Sequence, residues 1–100
     1  MKCINKACIL NMFEWNENKR LETIESRGLD FLRATTIFDG RKFVTLRSKY
    51  KDEERFVTIA TMDDGKFYSV IWTWRGEVRR IISFRRAWNG EERAYRQVHG

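Results

Sequence analysis

The hydrophobic period changes once along this chain, just after Gly40, and that change constrains the fold more than any other feature. Before it, apolar residues recur at helical spacing. After it, from about residue 42 to residue 86, they alternate as strands do. Asn16 offers a side-chain acceptor for a helix N-cap, Glu17 stands in the first turn, Leu21 and Ile24 share a face, and Gly28 supplies the stop. Asp30 caps a second helix carrying Phe31, Ala34, Ile37 and Phe38, and Asp39-Gly40 turns the chain. Residues 42–46 read as a strand, 47–54 as a charged loop, and 55–62, 66–74 and 77–86 as further strands. Asp63-Asp64-Gly65 and Arg75-Gly76 are the turns between them.

Residues 12–15 alternate like a short first strand. Asn89-Gly90-Glu91-Glu92 reads as a capping box with Asn89 at the cap and Glu92 three later, opening a short helix with Ala94, Tyr95 and Val98. The expectation is an α+β domain, with two N-terminal helices packed on one face of a mostly antiparallel sheet and a short C-terminal helix. One hundred residues suit a single domain, placed at 13–98, with 1–12 set apart as an N-terminal extension.

Hydrophobic residues make up 42% of the chain, enough for a core. The net charge of +6 and pI near 9.7 favour an anionic partner. Cys3 and Cys8 are the only cysteines, and a bridge between them would close too short a loop to constrain the fold, so free thiols are expected. With His99 the single histidine, no set of four zinc ligands can form. No carboxylate cluster suggests magnesium, so no cofactor is expected. The apolar run 8–10 is too short for a secretory leader, and a cytoplasmic location is expected.

Positive charge is densest between Arg75 and Arg86, where five arginines accompany one acid, Glu77. Strict alternation would put Arg80, Ile82, Phe84 and Arg86 on one face and Arg79, Ile81, Ser83 and Arg85 on the other. Tyr68, Val70, Trp72 and Trp74 share one face of the preceding strand. If helices cover only one side, the open side presents arginines beside aromatics. Guanidinium groups bind phosphates and rings stack on unpaired bases, so that face suits single-stranded RNA. The plainer alternative makes Trp72 and Trp74 core or rim, with the arginines paired to Glu53, Glu54 and Glu77.

Phe13-Glu14-Trp15-Asn16 with Lys19, Gly28 and Phe31, Glu53-Glu54-Arg55-Phe56, then Thr73, Arg75-Gly76, Arg80-Ile81-Ile82-Ser83 and Arg85-Arg86-Ala87 form an ordered set. In these residues, from Phe13 to about Tyr95, the chain resembles BrnT-type toxins. The resemblance implies a RelE-like fold and a ribonuclease toxin of a type II toxin–antitoxin module. Such a toxin halts translation by cutting RNA, and a ribbon-helix-helix antitoxin neutralises it, in a hetero-oligomer that reaches DNA only through the antitoxin. Arg80, Ser83 and Arg85 fall on the family's strongest motif, and Glu54 and Arg55 on its acidic-basic pair. Three positions depart from the pattern: Arg27 stands where the family often has His, Trp74 where an acid is usual, and Arg79 where the family is apolar.

Metal-free RNA cleavage needs the ribose 2′-hydroxyl aligned on its phosphate, the developing charge stabilised and protons moved. The expected catalytic residues are Arg80 and Arg85, which need a twist or bulge to converge, and Glu54 as base, with Lys49 and Tyr50 as further proton-transfer groups. Lys49, Arg55, Arg75, Ser83, Arg86, Trp72 and Trp74 are the expected RNA-binding residues. The competing reading is a nucleic-acid-binding module without chemistry, or an inactive toxin serving only as antitoxin partner and co-repressor.

Overall fold

The computed structural model describes residues 12–100 in full and, of residues 1–11, only the backbone of two short strands. The elements are β1 (Lys2–Ile4), β2 (Ala7–Leu10), β3 (Phe13–Asn16), α1 (Glu17–Arg27), α2 (Phe31–Ala34) with a 3₁₀ turn (Thr35–Phe38), β4 (Val44–Tyr50), β5 (Glu53–Thr61), β6 (Phe67–Arg75), β7 (Val78–Arg86) and α3 (Asn89–His99). They form an α+β domain whose sheet runs β1-β2-β3-β7-β6-β5-β4. Every strand pair is antiparallel except β3 with β7. The thiols of Cys3 and Cys8 lie outside the described residues. Among those described, no helix is long and apolar enough to cross a membrane.

α1 begins and ends where its sequence signals stand. Asn16 Oδ1 accepts from Lys19 N at 3.1 Å, and Gly28 closes the helix in the left-handed region at φ 67°. The next segment is not a full helix. Asp30 caps one α-turn through Leu32 N, and residues 35–38 tighten into the 3₁₀ turn, where Thr35 and Thr36 hydroxyls bond back to carbonyls three residues earlier. This short unit still buries its apolar side. Phe31, Ala34 and Ile37 pack with Trp15, Val70, Trp72, Ile81 and Phe84 in the main core. Burying each large side chain there contributes about 1.5–3 kcal/mol.

Two sequence expectations need correction. Residues 47–54 are no loop: β4 runs on to Tyr50, and only Lys51-Asp52 turns, with Lys51 at φ 57°. Its polar side chains lie on an edge strand open to water, where charge is tolerated, and that composition hid the strand. Nor are the helices confined to one face. α1 and α2 cover the face that carries Tyr68, Val70 and Phe84, whereas α3 docks on the other, where Tyr95 meets Phe67 edge-on at 5.1 Å and Ser69 bonds Glu91.

Candidate active site: an arginine cleft along strand β7

Opposed residues in a ladder point to the same side of the sheet, so the β6–β7 register decides where each arginine goes. Tyr68, Ser69, Val70 and Ile71 face Arg86, Arg85, Phe84 and Ser83, but Trp72, Thr73 and Trp74 face Ile81, Arg80 and Arg79. Ile82 has no partner in this register: it is a one-residue bulge. The bulge turns the alternation over. Arg80, Ser83 and Arg85 share the face of Ser69, Ile71 and Thr73, while Arg79, Ile81, Phe84 and Arg86 share the helix-covered face. The strict alternation expected for 79–86 therefore holds only within each half of the strand, and the convergence of Arg80 and Arg85 comes from the bulge. Five residues still separate them, on the order of 15 Å along the strand.

Arg85 is the most tightly held. Its Nη1 and Nη2 donate to Glu91 Oε1 and Oε2 at 2.7 and 2.9 Å, and its Cζ lies 3.8 Å from the centre of the Trp88 ring. Glu91 is 8% exposed and also accepts from Ser69 Oγ at 2.9 Å and Trp88 N at 2.8 Å. Burial opposes its ionisation, but the bonds from Arg85, Trp88 N and Ser69 outweigh it and hold the carboxyl below its ordinary range. Glu91 thus caps α3 from inside. The helix starts at Asn89 with Trp88 as cap, one residue earlier than the expected Asn89–Glu92 box, because Arg85 and Ser69 capture Glu91.

Two arginines beside this clamp have no carboxylate partner among the described residues. Arg27, at the end of α1, donates Nη1 to the Phe84 carbonyl at 3.0 Å and to Ser83 Oγ at 3.3 Å. Arg86 donates Nε to the Phe67 carbonyl and lies over the Tyr68 ring. Arg27, Arg85, Arg86 and Trp88 line one cleft of about 530 Å³, with Leu29, Tyr68 and Ala87 completing it. Trp88 also borders a second cleft of about 400 Å³ that reaches Tyr50 and Arg55.

The other expected site residues are dispersed. Arg80 pairs with Glu14 at 3.3 Å and is 23% exposed, in a separate cleft with Lys19 and Glu22. Arg75 and Arg55 share Glu53 at 2.8 and 3.0 Å, and together hold its carboxyl below the ordinary range, Arg75 most. Arg55 also stacks on Tyr50. Glu54 is not brought to Arg80 or Arg85. It stands opposite Lys49 in the β4–β5 ladder, on the other face of the sheet, and pairs loosely with Arg47 at 3.7 Å. Trp72 is 5% exposed, stacks on Phe56 and donates Nε1 to Thr58 Oγ1, so it is core and offers no face to a base. Trp74, 45% exposed, sits on the rim beside Arg79. Arg79 itself lies over Phe38, Trp72 and Trp74, and burial draws its pKa down. His99 bonds the Phe43 carbonyl, away from the arginine cleft.

The face opposite α1 and α2 therefore gathers arginines without the expected strand aromatics, and the acids that pair with the arginines of β6 and β7 are Glu14, Glu53 and Glu91 rather than Glu54 or Glu77. Sequence reasoning gives Glu91 a place only inside a capping box, assigns Trp88 no role and treats Arg27 only as a missing histidine. The place of Arg27 in the last turn of α1 points only to that helix's own last carbonyls, so no local signal marked its bond to Phe84. No group of His, Cys, Asp and Glu able to hold a metal occurs among the described residues.

A family profile described as the ribonuclease toxin BrnT of type II toxin–antitoxin systems matches residues 15–91. The chain belongs to that family. The matched span takes in the bulged strand, the cations Arg27, Arg85 and Arg86 and the Glu91 clamp, and it stops within the first turn of α3. Membership brings a ribonuclease toxin's activity class and an antitoxin as partner. A search of curated proteins returned no match.

Proposed function

We propose that this member of the BrnT family is a metal-independent endoribonuclease with a RelE-like fold, and that it inhibits translation in the cytoplasm by cutting single-stranded RNA. The observation that carries this reading is the constellation on β7 of Arg85 locked by Glu91, flanked by the unpaired cations Arg27 and Arg86 and by the Ser83 hydroxyl. A fixed guanidinium aimed at a phosphate stabilises the charge that develops as the ribose 2′-hydroxyl attacks and the 5′-oxygen leaves. Arg27 and Arg86 hold neighbouring phosphates, and Arg80, too distant to share one with Arg85, serves another. Tyr50, in the second cleft beside Arg85, takes over the proton-transfer role expected of Glu54. A ribbon-helix-helix antitoxin neutralises the toxin by laying an acidic segment over these cations.

One observation favours the competing reading of binding without chemistry: the cleft has Arg27 and no imidazole. The test is incubation of the purified chain with single-stranded RNA in the presence of EDTA. Cleavage should leave 2′,3′-cyclic phosphate ends, and Arg85→Ala should slow it by about two to three powers of ten. RNA that binds but stays intact would leave binding alone.

A further inference from the structure

We propose that Trp88 is a base-stacking platform, seating one unpaired nucleobase next to the phosphates held by Arg27 and Arg86; this deepens the ribonuclease reading and rests on it. Trp88 is 66% exposed, although a large ring in a small domain is ordinarily covered. One face of the ring carries the Arg85 guanidinium at 3.8 Å, and Arg85 is fixed in turn by two bonds to Glu91. The indole is therefore held without being buried. Its backbone N–H is also pinned by Glu91 at 2.8 Å, so both ends of the residue are anchored by the same carboxylate. Two clefts meet at this ring, and the larger one contains the two cations that lack carboxylate partners.

A rigid aromatic face beside unpaired cations fits single-stranded nucleic acid, whose bases stack while its phosphates meet the charge. A duplex, with its bases already stacked, offers no such base. Nothing in this contact needs a 2′-hydroxyl, which cleavage does need. A short single-stranded oligodeoxynucleotide should thus occupy the cleft without being cut.

The test uses the full chain and such an oligodeoxynucleotide, labelled for anisotropy. Trp15 and Trp72 are buried, so quenching of tryptophan emission on binding must arise at Trp88 or Trp74. Trp88→Ala should weaken binding tenfold to a hundredfold, the range for loss of one stacked base, while Trp88→Phe stays within about threefold of the original. In RNA cleavage, Trp88→Ala should raise KM and spare kcat. Its thermal unfolding should change little, because the Glu91 contact is to the backbone. Wild-type affinity in Trp88→Ala, equal binding of a duplex, or quenching by an antitoxin segment alone would each overturn the platform. The two readings separate cleanly. If RNA is cut but Trp88→Ala has an unchanged KM, the platform falls and the nuclease stands. If the oligonucleotide quenches Trp88 but no RNA is cut, the reverse holds.

Discussion

Replacing Glu91 with glutamine keeps the side chain's size, removes its charge and turns the oxygen that accepts from Arg85 Nη2 into an NH2 donor. The side chains of Arg85 and Glu91 are 16% and 10% exposed, so the pair is close to buried, and deleting one partner of such a pair costs roughly 3–5 kcal/mol. The glutamine carbonyl can still accept from Ser69 and Trp88 N, which puts the expectation at the lower end, about 3 kcal/mol. At roughly 4–8 °C per kcal/mol for a domain of this size, the melting temperature should drop by roughly 12–24 °C. The effect also has a signature in pH. Because the fold holds the Glu91 carboxyl below its ordinary value, it contributes stability above the unfolded pKa, roughly 4.3, and loses it as pH falls through the folded value. The gap between wild type and Glu91→Gln should be full at pH 7 and close in acid. Circular dichroism melts at pH 7 and pH 3 measure both. A variant melting within 2 °C of wild type at pH 7, or a gap unchanged at pH 3, would refute the clamp as an electrostatic element.

Arg86→Ala should leave stability within about 0.5 kcal/mol and Arg27→Ala should cost about 1 kcal/mol for its lost bonds to Phe84 and Ser83, while the salt dependence of RNA binding loses about one unit of slope per arginine. Arg80→Ala strands the half-buried Glu14 and should cost about 1–3 kcal/mol; a double-mutant cycle with Glu14→Gln that shows no coupling would contradict the pairing. Asn16→Ala removes the α1 cap and should lower stability by about 1 kcal/mol in denaturant titration, with the m-value unchanged.

Local signals were legible wherever a residue's own backbone geometry settled the outcome. Asn16 and Gly28 bracket α1 as their chemistry requires, and Asp63 to Gly65 turns the β5–β6 hairpin. What stayed hidden depends on partners distant in the chain. Glu53 is among the expected partners and does meet Arg75, but Glu14 lies 66 residues from Arg80, so no local charge count could find it. Trp72 and Trp88 look equally available in sequence, yet one fills the core and the other stands in solvent. Only the placement of the 3₁₀ turn and of α3 separates them. The N-cap of α3 falls one residue before the expected Asn89 because Asn89 is a good cap in isolation, whereas Glu91 answers to Arg85.

The unpaired Ile82 has a consequence for how this chain tolerates change. β7 is two half-strands joined at a single surplus residue, so Ile82 is the one place where the strand can lose a residue without turning a side chain over. Exchanging Ile82 for another apolar residue keeps the phase. Deleting it leaves a regular ladder, because the partner strand already pairs as though Ile82 were absent. Arg80, Ser83 and Arg85 keep their face, and Ile81, Phe84 and Arg86 keep theirs. One codon removed at Ile82 should therefore be tolerated, whereas one removed elsewhere in β7 reassigns every side chain of half a strand at once.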